Sequence, residues 1–283
     1  MQYFRLLIIK KDLINKCQIA AKEMRKDVIK MTYNVGTTGA HIGGSLSMIE
    51  IIATLFICVM RYDIQNTRWE ERDRFILSKG HGVMAQYTAM KQIGKITDED
   101  LTTFKKNETV LHAHPSMNME LGIEFSSGSL GQGLSLGVGT ALALKIKSNN
   151  ISRVFVLIGD GECDEGSIWE AAASAAHYEL NNIVAIIDKN GLQYDGNTEN
   201  VLNMNNLEDK WRSFGWEVYI VNGHNIEALL SVLTRRTDKP IAVIADTVKG
   251  KGVSFMENNP IWHNGRLTDQ QYQQAMDEQE GTI

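Results

Sequence analysis

Val154-Phe155-Val156-Leu157-Ile158-Gly159-Asp160-Gly161-Glu162 and Ile183-Val184-Ala185-Ile186-Ile187-Asp188-Lys189-Asn190 are the two stretches that decide the fold. Each is a continuous apolar run that ends in an oxygen-bearing residue. Such runs mark parallel strands covered on both faces, and ligands sit at the carboxyl ends of such strands. Outward from this pair the chain alternates. Residues 154–158 read as strand, 167–179 as helix, 183–188 and 216–221 as strands, 226–233 as helix and 241–246 as strand. Upstream, Arg74-Phe75-Ile76-Leu77-Ser78 reads as a short strand with Lys79-Gly80-His81-Gly82 as the loop at its end. The expected class is α/β: a mainly parallel sheet with helices on both faces.

The flanks fit that class. Leu6, Ile9, Leu13, Cys17, Ala20, Met24, Val28 and Met31 recur at helical spacing and predict an amphipathic first helix. A Gly-rich turn, 36–45, precedes a buried helix over 49–60, and a further helix runs through Met90. Thr97-Asp98-Glu99-Asp100 reads as a helix start. Gly128-Ser129-Leu130-Gly131-Gln132-Gly133 feeds a helix in which Gly137 and Gly139 predict close packing. After Thr268 the polar tail predicts a surface helix or a frayed end. No internal repeat interrupts this, so residues 1–283 read as a single domain.

Bulk chemistry narrows the function. Apolar residues at 43% and charged residues at 22% are ordinary for a soluble enzyme. A net charge of −5 gives no clustered basic face for nucleic acid. The longest apolar run, 51–60, is too short to span a bilayer, and no secretory signal is evident at the start. The three cysteines, Cys17, Cys58 and Cys163, are far apart in sequence and fit a reducing cytoplasm without a disulfide framework.

The turn after the first strand carries the chemistry. Gly159-x-Gly161 invites a dinucleotide reading, but the next Gly falls only at 166, and Asp160, Glu162, Asp164 and Glu165 crowd the turn with negative charge. Carboxylates repel a pyrophosphate unless a cation lies between, which favours a metal-bridged phosphate. Mg²⁺ takes oxygen ligands and commonly joins phosphates to one or two side chains. Asp160, Asn190 and a backbone carbonyl just beyond Asn190 would supply the protein oxygens, with Asp188-Lys189-Asn190 starting 28 residues after Asp160.

At these residues the sequence resembles a known family. Gly159-Asp160-Gly161 followed by Asn190 is similar to the thiamine diphosphate motif. The fuller stretches 159–172 and 188–196 resemble transketolase, most of all the N-terminal subunit of split, two-chain transketolases. His41-Ile42-Gly43-Gly44-Ser45, Leu77-Ser78-Lys79-Gly80-His81, His114-Pro115, 128–133 and 247–257 extend the resemblance over nearly the whole chain.

The resemblance implies a single diphosphate-binding domain. In it Asp160, Asn190 and the Leu192 carbonyl would hold Mg²⁺. Gly159, Gly161 and Glu162 would meet the diphosphate end of thiamine diphosphate, and Gly128, Ser129 and Leu130 the aminopyrimidine end. His41, His81, His114 and His263 match active-site histidines; His81 and His263 would also contact the cofactor. The implied reaction is reversible transfer of a two-carbon ketol unit from a ketose phosphate to an aldose acceptor, as in the pentose phosphate pathway. The family's activating glutamate belongs to a pyrimidine-binding domain. With the chain ending at Ile283, that domain is expected on a C-terminal partner subunit in a cytoplasmic α2β2 complex. Glu165 resembles the family's acid at the contact between subunits.

Plainer readings stand beside these. His177 and His224 read as structural or exposed, and His112 with His114 as a possible metal pair that lacks further ligands in register. Lys249-Gly250-Lys251-Gly252 lacks the Walker pattern and reads as a charged turn. Ala40-His41-Ile42-Gly43 and Ala113-His114-Pro115-Ser116 depart from the family's Gly-His-Pro motifs near the substrate mouth, which leaves the sugar open. Three alternatives remain: a deoxyxylulose-phosphate-synthase-like enzyme, the α chain of a 2-oxo acid dehydrogenase, and a non-catalytic protein that binds a partner.

Overall fold

Alternate residues of the central strands face opposite ways, and both faces are apolar. The computed structural model describes residues 2–281, with side chains from residue 11 onward. Its main sheet has five strands, all parallel: β1 (Arg74–Leu77), β2 (Val154–Gly159), β3 (Ile183–Lys189), β7 (Ile241–Asp246) and β6 (Glu217–Asn222), in that spatial order. A two-stranded hairpin, β4 (Leu192–Gln193) and β5 (Gly196–Asn197), follows β3 directly.

Helices cover both sides. Phe155, Leu157, Val184, Ile186 and Val243 point into a core built with α1 (Gln2–Asn34), α2 (Ile42–Leu46), α3 (Ile49–Thr54), α4 (Val83–Gln92) and α5 (Asp98–Thr102). Val154, Val156, Ile158, Ala185, Ile187 and Ile244 point the other way, onto α6 (Gln132–Ile146) and α7 (Gly166–His177). After the short α8 (Thr198–Val201), α9 (Leu207–Ser213) joins the second face through Trp211, and α10 (Ile226–Leu233) and α11 (Asp269–Glu280) join the first. The strand positions and the three-layer α/β class agree with the sequence reading.

In α1, Cys17, Ala20, Met24, Val28 and Met31 are buried as expected; the side chains of Leu6 and Ile9 lie outside the described residues. The capping box expected near Thr97 forms with Asp100. The tail is not frayed through 280: Thr268 and Gln271 cap α11, and Tyr272 stacks on Tyr33 of α1 at 4.2 Å.

Several expectations need correction. The helix over 49–60 changes form at Leu55, where a π-helical turn (Leu55–Val59) closes with Met60 N–H donating to Leu55 O. Gly137 is a packing glycine, since a Cβ there would lie 2.4 Å from Val156, but Gly139 is exposed with open space around it. Cys17 and Cys58 are not apart in space: α1 packs on the π-helical turn and brings them together as a disulfide pair, leaving Cys163 free and buried. Among the described residues no helix is long and apolar enough to cross a membrane.

Candidate active site

Parallel strands place their carboxyl ends side by side, and four such ends build one cavity. Ser78 to His81 follow β1, Asp160 follows β2, Asn190 follows β3, and the loop 247–250 follows β7. The cavity, about 320 Å³, is lined by Asp160, Asn190, Leu192, Lys249, His81 and His263 among others.

Asp160 ends β2 and is only 6% exposed. Its Oδ1 accepts from Gly161 N–H at 3.0 Å and its Oδ2 from Gly191 N–H at 2.6 Å. Burial, with Asp188 nearby, pushes its carboxyl up to about 6. That is a carboxylate short of positive charge. Asn190 Oδ1 accepts from Leu192 N–H at 3.1 Å, and its amide donates to Asp188 at 3.3 Å. The Leu192 carbonyl, held in place by the β4–β5 hairpin, accepts from Lys249 Nζ at 2.9 Å. The predicted donor set is therefore three oxygens on one side of the cavity, each with a lone pair still available. A carboxylate, an amide and a carbonyl suit a hard cation. Among the described residues no group of three His, Cys, Asp or Glu forms an alternative metal cluster, and His112 is exposed rather than paired with His114.

Asp188 braces this side from beneath. It is fully buried and accepts from Lys79, Ser47 Oγ and Thr247 Oγ1. Burial pushes its carboxyl up, but Lys79 and the two hydroxyls reverse this and hold it below the ordinary carboxylate range. Neither Lys79 nor Asp188 carried a role in the sequence reading. The signal was there: a charged residue closing an otherwise apolar, buried strand needs a charged partner.

Glu162 lies on the turn after β2, where the resemblance implies cofactor contact. Although it borders the cavity, its carboxylate is turned into the loops, where it accepts from Ser78 Oγ, from Gly131 N–H at 2.8 Å and from Gly159 N–H at 3.0 Å. Burial still pushes its carboxyl upward. Two backbone N–H groups and one hydroxyl converge on it, because a buried carboxylate with four lone-pair sites can satisfy several donors.

The four histidines do come together. His41 has ring centroids 5.5 Å from His81, 5.7 Å from His114 and 5.5 Å from His263, and His81 stacks on His263 at 5.2 Å. Burial, together with neighbouring cations, lowers His41 to about 4, His263 to about 3 and His81 well below its ordinary value; His114 is lowered too. The cluster is neutral near pH 7. His263 Nδ1 lies 2.9 Å from Lys249 Nζ, so the ring accepts there and its proton sits on Nε2. Gly128, at φ +143°, lies against His114, where a Cβ would come within 3.0 Å. Leu130 reaches the cavity; Gly128 and Ser129 do not line it, and Ser129 is exposed.

The charged-turn reading of Lys249 is overturned. Lys249 is 2% exposed and forms part of the cavity wall, and burial beside Lys79 lowers it to about 8. The loop that carries it is clamped by His224, whose Nε2 accepts from Val248 N–H at 2.9 Å while Nδ1 meets Glu50 at 2.9 Å. His224 is structural, as read. His177 is exposed at the end of α7.

Residues 19–280 match the family described as transketolase, thiamine diphosphate binding domain. The chain is 40% identical over 268 residues to the 6-deoxy-6-sulfo-D-fructose transketolase subunit SqwG of a Clostridium species, covering 93% of this chain and 97% of that protein. It is 38% identical to one subunit of the apulose-4-phosphate transketolase of Phocaeicola vulgatus, covering 94% of each. Among solved structures, the transketolase of Leishmania mexicana superposes with a TM-score of 0.83 at 25% identity, over 95% of this chain and 41% of that one. A Pichia stipitis transketolase variant solved with fructose 6-phosphate gives 0.86 at 27%, over 94% of this chain and 41% of that one. The chain thus spans about two fifths of those solved transketolase chains. With sequence family, fold and close relatives agreeing, this chain belongs to the transketolase thiamine diphosphate binding domain family.

Proposed function

We propose that this chain is the diphosphate-binding subunit of a two-chain, Mg²⁺-dependent transketolase that moves a two-carbon ketol unit from a ketose phosphate to an aldose. One observation carries the reading: three hard oxygen donors share a single cavity with the imidazoles of His81 and His263, against which His41 packs, with His114 beside it. Asp160, Asn190 and the Leu192 carbonyl would hold Mg²⁺ and, through it, the diphosphate; Gly159 and Gly161 would pass close to it. Thiamine diphosphate, when bound, supplies the carbon centre that accepts the ketol unit.

The chain's own residues then position and shuttle. Neutral imidazoles can accept a proton from a sugar hydroxyl and return it, and His263, with its proton on Nε2, can donate to a sugar oxygen. Crowding against His41 and the lysines disfavours an imidazolium, so a proton taken up is readily passed on. Loops 36–44 and 128–133 would double as interface with the partner. Relatives whose names call them subunits support a second chain, and an α2β2 assembly is our proposal.

The sugar lies within a class rather than at one name. One relative is named for a 6-sulfo ketose and another for apulose 4-phosphate, so donors of both kinds belong in the assay beside ordinary pentose phosphates. The test combines the purified chain with its C-terminal partner, thiamine diphosphate and Mg²⁺. Ketol transfer by the pair and negligible transfer by this chain alone is the expected result. Full turnover by the chain alone, or pyruvate decarboxylation in place of ketol transfer, would overturn it.

A further inference from the structure

Parallel strands in register carry their alignment past their ends. β6 and β7 pair Asn222 with Asp246, and two residues further on His224 stands beside Val248. The turn after β6 is pressed against the loop after β7. Gly223 N–H donates to Asp246 O at 2.8 Å, and a Cβ on Gly223 would lie 2.4 Å from Thr247 Cγ2. Asn222 Oδ1 accepts from His224 N–H at 2.9 Å and fixes the turn. The imidazole does not line the active-site cavity; it bridges the loop to Glu50 of α3.

That ring is held in one tautomer. Glu50 is only 9% exposed. Burial pushes its carboxyl up, but His224 and Arg25 reverse this and hold it below its ordinary range. An ionised carboxylate only accepts, so His224 Nδ1 carries the proton and donates to Glu50 at 2.9 Å. Nε2 is then left as an acceptor, and Val248 N–H donates to it at 2.9 Å. Arg25 of α1 pairs with the same carboxylate and donates from Nε to Lys251 O at 3.0 Å. One buried carboxylate thus grips the loop on both sides of Lys249, through an imidazole at 248 and a guanidinium at 251.

What lies between the two grips bears on the cavity. Lys249 Nζ donates to His263 Nδ1 at 2.9 Å, which leaves the His263 proton on Nε2. Lengthening that contact by about 1 Å would take it out of hydrogen-bonding range and free the ring to adopt either tautomer. We infer that His224 is a positioning residue for the active site: by holding Val248 it sets Lys249 against His263, fixes the His263 tautomer and so sets the rate of ketol transfer. This rests on the ketol-transfer reading of the cavity, in which His263 donates from Nε2 to a sugar oxygen. His224, Glu50 and Arg25 act only through the loop.

The experiment joins heteronuclear NMR of the histidine ring nitrogens, in the full-length cofactor-free chain, to kinetics of the chain with its C-terminal partner, thiamine diphosphate and Mg²⁺. His224→Phe fills the site but offers no acceptor, and His224→Gln restores one. In the parent, His263 should be protonated on Nε2 alone. In His224→Phe both tautomers should appear, and kcat should fall at least about tenfold with the donor KM within about threefold; His224→Gln should recover most of both effects. A clamp that only stabilised the fold would lower the melting temperature and move neither the His263 resonances nor kcat of the folded variant. Unchanged His263 resonances, or an unchanged kcat, in a folded His224→Phe overturn the inference and leave the proposed reaction intact. If His224→Phe does not fold, His224→Asn, too short to reach Val248 N–H, takes its place under the same criteria. A parent complex without ketol transfer overturns the proposed function and this inference with it.

Discussion

Gly191 N–H donates to Asp160 Oδ2 across 2.6 Å, tying the turn after β3 to the end of β2. This bond holds the carboxylate in a pocket where its charge is poorly compensated. With a folded value of about 6 against 3.8, the group favours the folded state most at low pH, and that contribution is lost as pH rises from about 4 through 6. The difference corresponds to about 3 kcal/mol.

Asp160→Asn removes that charge. Relative to the parent, the cofactor-free variant should therefore gain up to about 3 kcal/mol between pH 4 and pH 7, less about 1 kcal/mol for the backbone donor that loses its acceptor. The same variant should lose Mg²⁺-dependent binding of thiamine diphosphate. Urea unfolding at several pH values and calorimetry read the two effects; unchanged cofactor affinity would remove Asp160 from the metal site.

Glu162 makes the opposite case, a carboxylate whose oxygens are all in use. Glu162→Gln keeps the shape but turns an NH₂ toward groups that are already donors. A cost of about 1–3 kcal/mol in unfolding free energy is expected. Denaturant midpoints of parent and variant check it, and an unaffected midpoint would mean the loops are held by something else.

Much of this was legible in the sequence. Apolar runs ending in Asp160 and Asn190 located the strands, their direction and the cavity, because a buried strand must be apolar throughout and can turn polar only where it stops. The four histidines could be gathered only by resemblance; 222 residues separate His41 from His263 along the chain, and no periodicity links them. Lys249 was misplaced because charge in a Gly-rich loop ordinarily means solvent, and only the tertiary fold shows that this loop is packed against α2 and the 260–263 turn.

The two helix glycines offer a paired test. Gly137→Ala would drive its methyl into Val156 and should cost about 1–3 kcal/mol. Gly139→Ala, two residues on and open to solvent, should stabilise by about 0.5–1 kcal/mol. If chemical denaturation moved both midpoints the same way, the packing of α6 on β2 would need revision.

The histidine cluster sets an acid limit. His41 and His263 are lowered below 6.5, so the folded state binds fewer protons than the unfolded one, and stability should fall as pH drops from about 6.5 toward 4. Between pH 6 and 8 these rings should stay neutral. NMR titration of their ring protons checks this; a midpoint above about pH 6 for either ring would contradict it.

The order of the sheet has a consequence for biogenesis. β7 comes last of the strands along the chain yet lies between β3 and β6. A nascent chain can therefore pair β1, β2 and β3, but β6 has no neighbour to dock against until β7 has emerged. Until then the β3 edge and the lone β6 strand are unpaired and sticky, the kind of surface that invites chaperones or aggregation. A chain truncated before residue 241 would expose an incomplete sheet, while one truncated after 246 would hold all five of its strands.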